Sequence, residues 1–429
     1  MNKKSLSIFA LSFVALSCSA QTNAASFPLN FDDGYTILHS NAKVDILFHN
    51  DGSAPITSLA YTVEDISSGS ISSEKTLTFT DAVPAGENGT ATFKVPAGSS
   101  VGVCQKNVTI TKVNGVANET AAIKASASGN ICTLSEKMPK RTIEEEYTGT
   151  WCGWCPRGTV GIEQLSEKYP DTFVGAAFHY DDEFWFSEVG YHDGFPQCEL
   201  NRHANVDPYN GSTGSEPLGI EKDYLKEQNI LPFASLDMQA VWADNSKQKI
   251  MVKSNMKFVY NTSDEFALLY ILTENGLSGS RQASYYSGKE EYAGDPYMAF
   301  WYNGGSTNVY NHVVVAFAGR ENGIDGSVSS PVSVGMEQSY DYCFDISGNS
   351  RIKDKSKLHM IVCLLDKTKG TIINTDFGEI SSEETGIRSV SSSPSSATYY
   401  SLDGRRLSSP SNTISIVRHP DGTSVLQTR

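Results

Sequence analysis

Glu144-Glu145-Glu146-Tyr147-Thr148-Gly149-Thr150-Trp151-Cys152-Gly153-Trp154-Cys155-Pro156 decides how this chain is read. Thr142 to Thr148 is strand-like and runs into the paired cysteines. A helical stretch over Pro156 to Tyr169 follows, then a second strand over Thr172 to His179. Within the helical stretch Ile162, Leu165 and Tyr169 fall at i, i+3 and i+7, one face for packing on a sheet. Strand, helix, strand in this order predicts a βαβ unit.

Cys-x-x-Cys alone fits a redox pair or half of a zinc site. A structural zinc ion needs four ligands. No second Cys-x-x-Cys or paired His motif is present, and His179, His192 and His203 stand too far apart for a compact motif. No metal is therefore expected. A cysteine at a strand-to-helix junction lies at the positive end of the helix dipole, which favours the thiolate. Cys152 is accordingly expected as nucleophile and Cys155, one turn in, as the thiol that resolves a mixed disulfide. No cofactor is implied.

The segment resembles the active-site segment of thioredoxin-like proteins, including Trp151 directly before the first Cys. That resemblance implies a cis-proline facing the dithiol, and Pro196, 44 positions after Cys152, is the candidate. It implies that Phe195 presents backbone groups to an extended substrate chain. It also implies that Glu146 is a buried acid relaying protons, the alternative being one of three solvated acids opening a strand. Gly153-Trp154 between the cysteines departs from the usual family pairs and leaves the redox potential open. Trp154 shields the disulfide, offers a stacking surface or packs locally. Cys198, two residues after Pro196, is read as a buried inert thiol, with a third redox thiol as the alternative. Phe184-Trp185-Phe186 is read as core or as a docking patch.

Outward from this centre, residues 26–137 alternate short β-type runs with Gly and Asn turns such as Asn50-Asp51-Gly52 and Asn114-Gly115. That spacing predicts an immunoglobulin-like β-sandwich. Residues 138–233 form the expected thioredoxin-like domain, closed by a helical pattern over Leu218 to Glu227. Strand signals return over 234–380 as a second β-sandwich. A Ser-rich linker (381–396) and a C-terminal tail (397–429), read as a sorting signal or an unstructured end, complete the chain. The expected fold class is multidomain α+β, a thioredoxin-like α/β domain flanked by β-sandwich domains.

Lys3 and Lys4 precede an apolar run from Leu6 to Leu16, too short to span a membrane, and small residues through Ala20. This is the order of a secretory signal within residues 1–24. Cleavage after Ala20 or Ala24 would release the chain, whereas cleavage before Cys18 would leave that cysteine lipidated. Export to the periplasm, outer membrane or cell surface permits disulfides. Of the other seven cysteines, Cys104 with Cys132 and Cys343 with Cys363 are the expected structural pairs. A net charge of −15 excludes general nucleic-acid binding, which needs clustered Lys and Arg.

The leader, the β-rich first part, the Cys152 segment, Tyr310-Asn311-His312-Val313-Val314 and Leu364-Leu365-Asp366-Lys367 together resemble a family of thioredoxin-like outer-membrane proteins of Gram-negative anaerobes, named for a 28-kilodalton outer-membrane protein. The expected activity is extracytoplasmic thiol-disulfide exchange, with protein thiols or disulfides and a redox donor or acceptor protein as partners. The alternative is a non-catalytic surface binding or assembly protein with outer-membrane association.

Overall fold

The computed structural model describes residues 23–189 and 194–382, and four strands beyond them: Thr398–Tyr400, Arg406–Leu407, Ile414–Arg418 and Ser424–Thr428. The leader with Cys18, His192 and most of the Ser-rich linker lie outside the described residues. The chain divides into two compact units, residues 1–380 and 381–429. In the second, the four strands form one antiparallel sheet.

The first part of the larger unit is two sheets packed face to face. Asn41–Asn50 shows why: Ala42, Val44, Ile46 and Phe48 point inward in strict alternation with polar Lys43 and Asp45. Ser26–Pro28 and Asn88–Pro96 flank this strand. The facing sheet contains Gly34–Ile37, Ser126–Leu134, Gly102–Val113 and Ile56–Asp65. Phe48, Leu59, Tyr61, Phe93 and Val108 fill the space between, all of them almost wholly buried. Asn114 and Gly115, at φ 51° and 78°, turn the chain between Gly102–Val113 and Val116–Ala117. Both central residues of such a turn need positive φ, which Asn and Gly tolerate best.

The expected Cys104–Cys132 bridge is absent. The two residues sit on neighbouring antiparallel strands, but Cys104 lies opposite Ile131 and Cys132 opposite Val103. A one-residue offset places the two sulfurs on opposite faces of the sheet, and both thiols are free.

The rest of the unit is organised by one eight-stranded mixed sheet. Its order is Ala204–Val206, Gln197–Leu200, Thr142–Thr148, Phe173–His179, Val313–Ala318, Phe266–Glu274, Leu358–Asp366, Thr371–Glu379. Thr142–Thr148 pairs parallel with Phe173–His179, and the latter pairs parallel with Val313–Ala318. Every residue of Thr142–Thr148, Phe173–His179 and Phe266–Glu274 is buried, because layers cover both faces. On one face a three-stranded sheet (Ala234–Trp242, Lys249–Phe258, Glu337–Asp345) contributes Leu236, Met238, Ile250 and Val252 against Leu268, Tyr270, Met360 and Val362. Around the Thr142–Thr148 end, the helices Pro156–Lys168 and Ile220–Gln228 pack through Ile162, Leu165 and Tyr224 with Phe173, Cys198 and Leu200.

This overturns the expected fold class. The described residues are mostly β-sheet with three α-helices, one of them a single turn, and there is no separate thioredoxin-like α/β domain between two sandwiches. The sheet runs straight through the boundary expected at 233. Local periodicity fixes which residues form a strand and which helix follows it. It does not say what pairs with the open edge of Phe173–His179, and strands from far along the chain take that place. The fold-level support for the labels thioredoxin-like and oxidoreductase falls with the expected domain.

The expected Cys343–Cys363 bridge is also absent. Cys343 is exposed on the three-stranded sheet, and Cys363 is fully buried in the eight-stranded one. Their neighbours Phe344, Val362 and Leu364 fill the shared core between the sheets. Alternation therefore turns both sulfurs away from it.

Candidate functional site: the Cys152–Cys155 loop

Thr142–Thr148 ends at a tight loop, and Cys155 caps the following helix with Pro156 in its first position. Proline suits that position, since its fixed φ is helical and its missing N–H has no partner there. The Cys155 carbonyl accepts from Gly158 N and Thr159 N, closing the first turn. Cys152 and Cys155 form a disulfide with Cα atoms 5.4 Å apart. Both are buried, Cys152 at 4% exposure. No acidic residue occupies the first turn of the helix itself.

A second segment holds this loop, and sequence reasoning missed it. Ala283 N donates to Thr150 O (2.8 Å) and Tyr285 N to Gly153 O (2.9 Å). The buried Gln282 amide donates to the carbonyls of Gly149 and Cys152, the latter at 2.9 Å, and the Tyr286 hydroxyl donates to Trp154 O. A Cβ on Gly153 would stand 2.6 Å from the Tyr285 ring, so only glycine allows this approach. The available signal was Tyr285-Tyr286 inside an otherwise Gly- and Ser-rich stretch, but nothing local tied it to the cysteines.

Aromatic rings frame the loop. Trp151 donates from its indole to Tyr180 O (2.8 Å) and meets Phe195 edge-on at 5.5 Å. Phe195 stacks on Tyr180, and the Phe195–Pro196 peptide bond is cis. On the other side Trp154 meets Tyr285 and Tyr286 edge-on, with the Lys289 ammonium 3.9 Å from its ring centroid. Trp151, Trp154 and Tyr285 are 48%, 37% and 61% exposed. The fold thus brings Trp151 beside Phe195 and Pro196, while Trp154 joins the segment from Gln282 to Tyr286. Phe184 and Phe186 are core residues, packed on Tyr310 and Phe317 respectively.

All three acids of the opening motif are buried, so the solvated reading of Glu144 to Glu146 is corrected. Strand alternation sends Glu145 to one face and Glu144 with Glu146 to the other. Glu146 lies under the helix: a Cβ on Gly158 would fall 2.1 Å from its Oε1, and that oxygen has no hydrogen-bonding partner. Burial, reinforced by the charges of Glu163 and Asp207, pushes the Glu146 carboxyl up to about 8. Burial and then the Glu146 charge hold Glu144 well above the carboxylate range, with only the Cys198 thiol offsetting them. Cys198 is wholly buried, and burial with the charge of Glu144 raises it well above an ordinary thiol. Glu145 instead receives a two-pronged ion pair from Arg202, whose Nη2 lies 2.8 Å from Oε1.

His179 is tied to Asp182 and His203 to Glu227, each at 2.7 Å. Among the described residues no group of three or more His, Cys, Asp or Glu side chains is placed to hold a metal ion. No described helix is long and apolar enough to cross a membrane.

No family model and no curated protein matches the chain. Similar solved structures include HBP35 of Porphyromonas gingivalis, at 14% identity over 68% of this chain and 98% of that one, with a TM-score of 0.41. A protein of Agrobacterium tumefaciens follows at 12% identity, 59% and 99% coverage and a TM-score of 0.33. A domain of the outer membrane lipoprotein Omp28 from Porphyromonas gingivalis is similar at 12% identity, 35% and 91% coverage and a TM-score of 0.20.

Proposed function

We propose that this chain is an exported surface protein that binds a polypeptide partner on the aromatic rim around the Cys152–Cys155 loop. The observation that carries the reading is the exposure of Trp151 and Trp154 on the loop and of Tyr285 on the segment hydrogen-bonded to it. Large aromatics held rigidly at a surface are the side chains that dominate binding energy, since little side-chain entropy remains to be lost. In this role the hydrogen bonds from the Gln282–Tyr286 segment hold the rim without need of the disulfide, and the signal-like leader supports export. A permanently extended probe, reduced and carboxymethylated lactalbumin, tests it. Saturable binding is expected, weakened about tenfold or more by Trp151→Ala with Trp154→Ala, a loss of about 1.4 kcal/mol or more. Cys152→Ser with Cys155→Ser should leave the affinity within about twofold. Equal binding by the tryptophan variant and the wild type would sink the proposal.

A second reading, disulfide exchange at the same loop, is favoured by the buried Glu146 carboxyl, whose Oε1 has no hydrogen-bonding partner, under the cysteine-bearing helix. A carboxyl near 8 is matched to proton transfer at neutral pH. After reduction by an external dithiol, the Cys152 thiolate would attack a substrate disulfide, forming a mixed disulfide and releasing one substrate thiolate. Cys155 would then attack Cys152 Sγ, releasing the second thiolate and closing Cys152–Cys155, so that substrate is reduced and the protein oxidised. Phe195 and Pro196 would border the attacked bond. Cys155→Ser should accumulate the mixed disulfide with insulin, and the wild type should reduce insulin at the expense of dithiothreitol. Folded protein that does neither rules the reading out.

A further inference from the structure

Away from the disulfide loop, a cavity of about 80 Å3 lies between the first part of the unit and the edge of the eight-stranded sheet. Its walls are apolar, with Leu231, Pro232, Phe233 and Ile372 among them, while its polar side chains are Lys140, Tyr35, His203, Lys369 and Thr371. All five can donate hydrogen bonds, and no carboxylate belongs to the lining. Lys140 is 8% exposed. Its ammonium donates to the backbone carbonyls of Glu227 (2.6 Å) and Ile230 (2.8 Å), which cap the Ile220–Gln228 helix. One of its three N–H groups is left over, and no carboxylate of the described residues is within ion-pair distance.

A buried ammonium without a contacting counter-charge is costly, and a partner anion relieves the cost. The nearby acids are engaged elsewhere. Glu227 Oε2 is 2.7 Å from His203, and Asp264 and Asp366 hold Lys369 at 2.7 and 2.8 Å. The Tyr35 hydroxyl has no hydrogen-bonding partner among the described residues. Lys369, half exposed, marks the mouth.

We propose that this cavity binds a short aliphatic monocarboxylate, its carboxylate on Lys140 and Tyr35 and its alkyl tail against Pro232 and Phe233. Size selects the class: a cavity of ~150 Å3 takes benzene, so this one takes roughly three to five heavy atoms, those of acetate or propionate. Charge selects it too. One under-compensated ammonium matches one negative charge, whereas a phosphate dianion would carry a larger desolvation cost into an apolar wall. Burial lowers Lys140 to about 8, against the opposing pull of the Glu227 charge, in keeping with an ammonium short of a partner. The inference is independent of the disulfide loop.

Titration of the full chain with sodium propionate, followed by saturation-transfer NMR, tests it. Saturable one-to-one binding is expected with Kd roughly 1 mM, the weak range open to so small a ligand. Tyr35→Phe should weaken it about three- to tenfold, the value of one hydrogen bond, and Lys140→Met should abolish it. Propionamide, of the same shape without the charge, should not bind. No saturation with acetate or propionate overturns the proposal, as does equal binding of propionamide or inorganic phosphate, or unchanged affinity in Tyr35→Phe. The last variant decides the matter alone if Lys140→Met does not fold.

Discussion

Arg202→Met is expected to destabilise the folded chain by about 3–5 kcal/mol, among the largest effects of any single substitution near the candidate site. Glu145 is fully buried, and Arg202 supplies its two-pronged ion pair. Removing the guanidinium leaves a carboxylate in an apolar interior with no water to replace its partner. The mutual dependence is visible in Arg202 itself, whose charged form is favoured by Glu145 despite burial. Arg202 also donates to the backbone carbonyl of Arg320 at 2.8 Å, so the substitution also unties the turn after Gln197–Leu200 from the turn after Val313–Ala318. Urea unfolding measures the loss. Glu145→Gln with Arg202→Met should recover part of it, because both charges then go together. A loss in Arg202→Met below about 1 kcal/mol would show that the pair is not desolvated as described.

Glu146→Gln should be nearly neutral to stability at pH 5 and stabilising by on the order of 2–4 kcal/mol at pH 8.5. The sign follows from the direction of the shift. The carboxyl sits at 4.5 in the absence of the fold and at about 8 within it, with burial as the main cause. Below 4.5 it is neutral in both states, and the stability that goes with the neutral form is fully present. Between 4.5 and 8 the unfolded chain gives up the proton while the folded chain keeps it, so stability falls as pH rises. Above about 8 the loss is complete. Glutamine keeps the shape and never ionises, so the difference between the two proteins reports the Glu146 charge. Glu144 is raised first by its own burial, which the variant keeps and which is common to both proteins; the part that the Glu146 charge adds to it is lost with that charge and belongs to the difference. Urea midpoints at the two pH values provide the check, and identical pH slopes in wild type and variant would contradict a buried, neutral Glu146.

Both predictions concern residues whose identity was plain in the sequence and whose surroundings were not. Three consecutive glutamates can open a solvated strand as readily as a buried one. Their alternation on a strand was legible, which separates Glu145 from Glu144 and Glu146, but not that both faces of that strand would be covered. The cysteines show the same division. The Cys152–Cys155 spacing carries its own geometry, because a single tight turn, closed by Cys155 N donating to Cys152 O, brings the two residues within disulfide reach. Cys104 with Cys132 and Cys343 with Cys363 were paired by proximity in the pattern of strands. Register and facing decided against both, and a one-residue offset is invisible until partner strands are aligned.

The sequence by itself determined the strand, the loop and the helix around Cys152, the turn at Asn114-Gly115, and the alternating core of Asn41–Asn50. Each depends on backbone preferences and periodicities that act within about a dozen residues. Tertiary structure alone decided that Val313–Ala318 would extend the sheet, that Gln282 and Tyr285 would clasp the disulfide loop, and that Lys140 would face an apolar cavity without a carboxylate beside it. Those outcomes depend on which distant surfaces bury one another, and that is settled by the packing of the whole unit.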